Sequence, residues 1–161
     1  MPDEGIVRSL KEGEYVGGAL TGRIGEMAKE SGLIMRRAQI TPNTRLAFEA
    51  SEFAKDKGLF DEFHKACYLA FWEEGVNLGQ LSVLQEIGRN VGLDSQEMKQ
   101  KLYTGYYTNQ AQDHYREALA IGVNGVPSFI IGRYFFSGAQ PYEFFRKIAG
   151  MAQENEVDSG S

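Results

Sequence analysis

The sequence predicts an α+β fold that is mostly helical and carries one small β-hairpin. The hairpin is predicted by two short apolar runs, Ser128–Ile131 and Tyr134–Phe136, with Gly132-Arg133 between them. A two-residue loop that contains glycine is typical of tight hairpins. Helices are predicted by apolar residues that recur every three or four positions through most of residues 41–120 and again after residue 140. No other stretch has a comparable strand pattern, so a small sheet is expected beside a helical majority.

The first forty residues have the weakest pattern in the chain. Residues 1–13 show no periodicity and are expected to be loose. Apolar side chains follow a helical spacing within Tyr15–Ser31, although glycines weaken the first half of this stretch. Gly32 is expected to end the helix. Residues 33–40 are compatible with an extended segment, but Arg36-Arg37 argues against a buried strand there.

Five helices are predicted between residues 41 and 120. Thr41-Pro42 is expected to begin the first, because threonine caps helices and proline favours the first helical position. This helix should end at Gly58. The other four are expected at about 61–73, 77–91, 94–102 and 108–120, with Asn77 and either Asp94 or Ser95 as N-caps.

The predicted hairpin and one more helix complete the chain. Its first run is apolar on both alternating faces, so both faces are expected to be covered. Pro127 precedes this run, at a position where a missing N–H is tolerated. A helix at about 140–153 should turn its apolar side chains toward the sheet, and residues 154–161 should form a loose tail. These side chains are Phe144, Phe145, Ile148 and Met151.

Composition and charge narrow the class of protein. The 161 residues suffice for a single domain with a real core, and 42% of them are hydrophobic. A net charge of −5 argues against a broad nucleic-acid surface. No run is long enough to span a membrane, and the charged N-terminal segment lacks an apolar signal core. We therefore expect a cytoplasmic protein with no nucleic-acid or membrane partner.

Two segments carry a resemblance to a known family. GVNGVPSFIIGRYFFSGAQ, at residues 122–140, resembles the DsbA family of thioredoxin-fold thiol–disulfide oxidoreductases, most closely its FrnE-like branch. That branch neighbours the 2-hydroxychromene-2-carboxylate isomerases and the kappa-class glutathione transferases. FDEFHKACYLAFWEEGVNLGQLSVLQEIGRNVGLD, at residues 60–94, is similar to its helical insertion. The resemblance implies one domain over residues 1–161, with the helical insertion at about 41–121 and the C-terminal ββα half of a thioredoxin fold at 122–153.

The resemblance also implies where a substrate binds. In the family the corresponding valine–proline bond is cis, and the backbone before it faces the active site. Val126 and Pro127 are therefore expected to bind an extended peptide, a protein thiol or disulfide, or glutathione. From the local sequence alone, a trans proline that simply opens a strand is the alternative.

The redox half of the family pattern is missing from this sequence, so the domain is expected to be truncated. The family begins with a strand and a C-x-x-C motif, and neither occurs here. Disulfide exchange needs a thiolate of lowered pKa together with a resolving thiol. Cys67 is the only cysteine, and its place in an apolar helical stripe favours a small core residue over a lone redox thiol. The chain is thus expected to belong to the disulfide oxidoreductase family but to be inactive in exchange.

Other candidate residues have simpler explanations. His64 and His114 are far apart in sequence and lack metal-ligand spacing, so no metal site is predicted. Trp72 can line a groove with neighbouring aromatics, but aromatic residues at helical spacing are more often core. The tyrosines Tyr103, Tyr106 and Tyr107 can form either a peptide-facing patch or a packing patch.

The sequence is also compatible with two alternatives to a disulfide oxidoreductase. An unpaired hairpin edge is a template for another chain, so a non-catalytic module for peptide binding or dimerisation is possible. On this basis we expect a homodimer. A glutathione-dependent isomerase or transferase relative is the further alternative.

Overall fold

The computed structural model describes residues 2, 4–9 and 17–158, and the side chains among them up to Asn155. The chain divides into two compact units, Met1–Asp113 and His114–Ser161. Helices dominate these described residues, and two pairs of short antiparallel strands accompany them. The predicted class, mostly helical α+β, is confirmed.

The first unit begins with a strand pair that was not predicted. Strand β1 (Ile6–Val7) pairs antiparallel with β2 (Ile40–Thr41). Strands of two residues are too short to show an alternation of apolar and polar side chains, which explains why the sequence pattern did not predict them. The expectation of loose structure at residues 1, 3 and 10–13 lies outside the described residues, as does the start of the stretch from Tyr15.

Helix α1 (Gly22–Glu30) ends as predicted. Gly32 has a φ of +68°, and its N–H bonds to the carbonyl of Lys29 at 3.1 Å. The N–H of Leu33 bonds to the carbonyl of Ala28 at 2.8 Å. These two bonds form a Schellman motif, which explains why glycine stands at this position.

The five helices predicted next are confirmed, with changes at their ends. They are α2 (Arg45–Asp56), α3 (Phe60–Leu69), α4 (Leu81–Asn90), α5 (Ser95–Tyr103) and α6 (Thr108–Ala120). Helix α3 continues into a π-helical turn, Ala70–Glu74, and Gly75 in the left-handed conformation follows it.

Two predicted helix starts are wrong. Thr41 lies in β2, where its hydroxyl accepts a hydrogen bond from Arg8 Nε at 2.8 Å, and α2 begins only at Arg45. A residue that precedes proline is disfavoured in the helical region, so Thr41 stays extended. Asn77 accepts a bond from the N–H of Gly79 at 2.9 Å and makes a turn before α4 rather than its N-cap.

Asp94 is the N-cap of α5, the first of the two predicted choices. Its Oδ1 accepts bonds from the backbone N–H groups of Gln96 at 2.9 Å and Glu97 at 3.0 Å. The bonds from Glu97 and then Gln96 lower the pKa of the Asp94 carboxyl. The ionised carboxylate is therefore the form that stabilises the start of α5.

Replacing Asp94 with alanine is expected to lower the melting temperature most at neutral pH. Because the pKa of Asp94 is lower in the folded than in the unfolded state, its ionised carboxylate stabilises the folded protein at pH values above the unfolded-state pKa. This stabilisation is lost as the pH falls through the folded-state pKa. The difference between wild type and Asp94→Ala should thus shrink below about pH 4, where unfolded aspartate protonates. Circular dichroism melts from pH 7 to pH 3 test this, with Ser95→Ala as the matched control. An equal difference in melting temperature between the two proteins at pH 7 and at pH 3 would contradict the role of the ionised carboxylate.

The core of the first unit lies among α2, α3, α4 and α5. Phe53, Phe63, Leu84 and Met98 are fully buried there. Tyr107, also buried, donates a hydrogen bond from its hydroxyl to Asp56 Oδ2 at 2.7 Å. The rest of the cluster is small or aliphatic: Ala50, Ala54, Cys67, Ala70, Leu78, Ile87, Leu93 and Leu102.

The second unit contains the predicted hairpin and the last helix. Strand β3 (Ser128–Ile131) pairs antiparallel with β4 (Tyr134–Ser137), and Ile131 lies opposite Tyr134 across the turn. Helix α7 (Tyr142–Asp158) follows and extends beyond the predicted end. Residues 154–158 of the expected loose tail are therefore helical, whereas residues 159–161 lie outside the described residues.

Aromatic rings join the hairpin to α7. Phe129 and Phe136 stack at 5.3 Å between ring centroids. Phe145 of α7 meets both edge-on, at 4.8 Å from Phe129 and 5.4 Å from Phe136. Phe144 lies 4.9 Å from Phe136. The predicted orientation of Phe144 and Phe145 toward the sheet is confirmed.

The other face of the hairpin is open, contrary to the prediction that both faces are covered. Ile130 is 57% exposed and Phe135 is 45% exposed. Within the described residues, the sheet has only two strands and α7 packs against one side of it. The apolar run was read correctly as a strand, but its second face has no cover in this unit.

Candidate functional site

The candidate site lies where the loop after α6 enters the hairpin. The Val126–Pro127 peptide bond is cis. Ser128 Oγ donates to the carbonyl of Gly125 at 2.7 Å and lies 2.9 Å from Ser137 Oγ. The N–H of Gly138 donates to the carbonyl of Pro127 at 2.8 Å. These bonds fix the loop against both strands and continue the ladder beyond β3.

In an antiparallel ladder, successive residues direct their N–H and C=O groups alternately toward and away from the partner strand, so the register shows which groups of β3 are unpaired. Pro127 bonds toward β4, so the next residues that bond toward β4 are Phe129 and Ile131. The N–H and C=O groups of Ser128 and Ile130 therefore point away from β4. Val126 is 92% exposed, and the described residues provide no hydrogen-bond partner for its backbone. The result is a polar backbone edge flanked by apolar side chains.

The sequence on either side of this edge is nearly uncharged. Between Ala118 and Gln140 the sequence has one charged residue, Arg133, in the hairpin turn. Its guanidinium donates to Asn155 Oδ1 at 3.0 Å and lies over the ring of Tyr134 at 5.6 Å. The edge thus offers backbone hydrogen bonds and apolar contacts, which suit an extended peptide better than acid–base or nucleophilic chemistry.

Cys67 lies in α3, within the buried core of the first unit. Its side chain is 7% exposed, and burial raises the pKa of its thiol to about 12. A thiol with this pKa is almost entirely protonated at neutral pH and is a poor nucleophile. This burial agrees with the interpretation of Cys67 as a small core residue.

The two histidines lie on the surfaces of different helices, α3 and α6. His64 is exposed in α3 and lies between the rings of Phe60, at 5.1 Å, and Tyr68, at 4.8 Å. His114 is exposed in α6. Across the part of the chain that the structure describes, no three His, Cys, Asp or Glu side chains come close enough to hold a metal ion.

The remaining aromatic candidates separate into packed and exposed residues. Trp72 and Phe71 are half-buried and meet edge-on at 4.8 Å, whereas Phe60 lies on the surface. Tyr107 belongs to the core. Tyr106 is 61% exposed and Lys101 Nζ lies 3.5 Å from its ring centroid, and Tyr103 is more exposed still. The rings of Tyr106 and Tyr107 meet edge-on at 4.9 Å, so these two tyrosines form a packing contact.

Glu49 is a buried charged residue that sequence reasoning missed. It is fully buried in α2, and its Oε1 accepts a bond from Arg45 Nη1 at 2.6 Å. Its Oε2 has no hydrogen-bond partner among the described residues. The four-residue spacing of Arg45 and Glu49 was the available signal, but such pairs usually lie on helix surfaces.

The helical unit and the ββα unit with its valine–proline loop define a thioredoxin-like protein of the class with a large helical insertion. The family model described as DSBA-like thioredoxin domain matches residues 16–149. The chain therefore belongs to the DsbA-like thioredoxin family, as the resemblance implied. No helix in the described ranges combines the length and apolar character needed to cross a membrane.

Two relatives show how much of the family domain the chain covers. It is 32% identical over 136 residues to the Bacillus subtilis protein YwbO, covering 81% of this chain and 66% of that protein. The crystal structure of a probable DsbA oxidoreductase from Streptomyces coelicolor superposes with a TM-score of 0.74 at 27% identity. That match covers 81% of this chain and 58% of the Streptomyces chain. The chain thus spans less than two thirds of either relative.

Proposed function

We propose that this chain provides the peptide-docking side of a DsbA-like, FrnE-like protein disulfide oxidoreductase and performs no thiol–disulfide exchange with its own cysteine. The observation that carries the docking part is the exposed, unpartnered backbone of Val126 at the entrance to the hairpin. The family membership and the oxidoreductase title of the Streptomyces neighbour support the assignment to this class.

An extended peptide would bind by pairing with Val126. One N–H and one C=O on Val126 can exchange two hydrogen bonds with one peptide residue, as in an antiparallel ladder. Each bond contributes only about 1 kcal/mol net, so binding through this residue alone is expected to be weak. The absence of charge from Ala118 to Gly132 favours a neutral peptide segment around the paired residue.

The cysteine of this chain is not suited to thiol–disulfide exchange, for a chemical reason. Exchange requires an attacking thiolate and then a second thiol that resolves the mixed disulfide. The sequence contains one cysteine, and that cysteine is buried with a raised pKa. Glutathione also has peptide N–H and C=O groups that can bond to Val126, so it serves as a second ligand in the test.

The docking proposal predicts that one backbone position of the ligand matters. An eight-residue extended peptide with a central cysteine should shift the amide resonances of Val126 and Ser128 in a ¹⁵N titration. N-methylation of the peptide residue that pairs with Val126 removes one bond of about 1 kcal/mol and should weaken binding about fivefold. The measurement is the dissociation constant of each peptide from the same titration, with reduced glutathione as a separate ligand.

The matched control moves the N-methyl group by one residue along the peptide. At that position the N–H points away from the protein, so affinity should be unchanged. Equal affinities for all three peptides would contradict the pairing, as would shifts confined to residues far from Val126. The protein variant Val126→Arg, compared with Ile121→Arg at another exposed position of the same unit, tests the location independently.

A further inference from the structure

Asn124 and Gly125 form the one Asn-Gly pair of the sequence, directly before Val126. The other five asparagines are followed by threonine, leucine, valine, glutamine or glutamate. Asparagine is a chemically labile residue, because the carbonyl carbon of its side chain can be attacked by the next backbone nitrogen. Glycine has no Cβ to shield that nitrogen. The local sequence therefore makes Asn124 the asparagine of this chain most prone to lose ammonia.

The structure leaves both reacting groups of this pair accessible. Asn124 and Gly125 are exposed and lie outside the helices and strands. Among the described residues, neither the side-chain amide of Asn124 nor the N–H of Gly125 has a hydrogen-bond partner. A Cβ placed on Gly125 would meet no atom within 4 Å, so no neighbour crowds this residue. The side chain of Asn124 can therefore reach the Gly125 nitrogen without breaking a bond of the fold.

We propose that Asn124 deamidates in the folded protein through attack by the backbone nitrogen of Gly125. This nitrogen gives its proton to solvent base and forms a bond to Cγ of Asn124. The bond from Cγ to Nδ2 breaks, and Nδ2 leaves as ammonia after taking a proton from solvent. Water then opens the resulting cyclic succinimide at either carbonyl, which yields aspartate or isoaspartate. Nothing is oxidised or reduced, and water is the only co-reactant.

The modified residue lies in a short link between two anchored points of the same unit. The N–H of Val123 donates to the carbonyl of Ala118 at 2.9 Å. The carbonyl of Gly125 accepts a bond from Ser128 Oγ at 2.7 Å. Isoaspartate adds one methylene to the main chain between these anchors, and both products add a carboxylate where residues 118–132 carry no charge. Deamidation thus changes the length and the charge of the loop directly before Val126.

The consequence for ligands rests on the proposed docking at Val126. Reduced glutathione carries net negative charge at neutral pH, so a carboxylate at position 124 should repel it. For exposed charges several ångströms apart this repulsion should weaken binding to Asn124→Asp about twofold at low salt, and less at high salt. If neither wild type nor the variant bound any ligand, docking at Val126 would be contradicted, while the deamidation itself is decided by mass alone.

Mass spectrometry of the aged protein tests the proposal. The purified chain is kept at pH 8 and about 37 °C for several days and then digested briefly with trypsin, which releases residues 117–133 with Asn124 as their one asparagine. This peptide should gain about 1 Da with time, and an isoaspartyl methyltransferase should label the isoaspartate fraction. The rate should fall at pH 6, because less of the Gly125 nitrogen is deprotonated. Asn109, exposed in α6 and followed by Gln110, is the internal control and should stay intact.

Gly125→Ala is the matched variant, because it changes only the attacking residue. Gly125 does not have a positive φ and has room for a Cβ, so the fold should be retained. The added methyl group should slow deamidation about tenfold or more. A synthetic peptide of residues 117–133 gives the rate without the fold, and an open loop should react within about tenfold of it. An intact Asn124 in the folded protein while this peptide reacts would overturn the proposal. So would equal rates for wild type and Gly125→Ala, or conversion of Asn109 as fast as that of Asn124.

Discussion

Cys67 will resist iodoacetamide at pH 8 in the folded protein and react readily once guanidinium chloride has unfolded the chain. Burial raises the pKa of this thiol from an ordinary value of 9.0 to about 12. A pKa so far above the assay pH leaves very little of the thiol ionised, and only the thiolate attacks the reagent. Intact-protein mass spectrometry over time measures the fraction modified. Cys67 should therefore be modified much more slowly in the folded than in the unfolded protein, because burial both protonates the thiol and excludes the reagent.

An adjacent surface position provides the control for this experiment. In a Cys67→Ala background, Tyr68→Cys puts a thiol on the exposed side of α3, where tyrosine is 58% exposed. That variant should be alkylated at the rate of a free thiol without denaturant. Rapid modification of Cys67 in the native wild type would contradict its assignment to the core. It would also reopen a role for this residue in exchange.

The same burial predicts the outcome of a disulfide reduction assay. With dithiothreitol as reductant, insulin should be reduced at the uncatalysed rate by both wild type and Cys67→Ala. The one cysteine is buried and protonated, so no thiolate is available to attack, and the sequence has no resolving thiol. Activity that is present in wild type and absent from the variant would refute the proposal of docking without exchange.

The parts of the fold that sequence predicted are those set by long periodic patterns. The helix at Thr108–Ala120 was placed at its observed bounds, and the hairpin strands were found from their apolar runs. Local capping was predictable where one side chain decides it, as Asp94 does. Both kinds of signal are contained in a few neighbouring residues, so they can be read without tertiary structure.

The parts that sequence missed depend on contacts distant in the chain. Pro42 disfavours a helical Thr41, but the strand that Thr41 forms also needs Ile6, a partner 35 positions earlier, and no local pattern indicates this pairing. The burial of Glu49 likewise depends on how α2 packs. For the candidate site, the resemblance indicated Val126 and Pro127, but the outward direction of Ser128 and Ile130 followed only from the ladder register.

The local stability of β3 and β4 should depend on the aromatic rings packed between the hairpin and α7, which Phe136→Ala tests. The ring of Phe136 contacts Phe129, Phe144 and Phe145. Because this ring is half-buried, its removal should cost about 2 kcal/mol in local stability. A loss of that size corresponds to roughly thirtyfold faster amide exchange in β3 and β4, if exchange follows local opening. Hydrogen–deuterium exchange with fragment analysis measures this directly.

Phe135 offers a control of the same residue type at the next position. Its side chain is on the open face and is 45% exposed, and no ring of α7 contacts it among the described residues. Phe135→Ala should therefore accelerate exchange in the hairpin clearly less than Phe136→Ala does, because less buried area is lost and no ring contact with α7 is removed. Equal effects of the two substitutions would mean that α7 does not stabilise the hairpin in solution. The expected contrast would instead show that the rings packed between the hairpin and α7 contribute more to the stability of β3 and β4 than the side chains on the open face do.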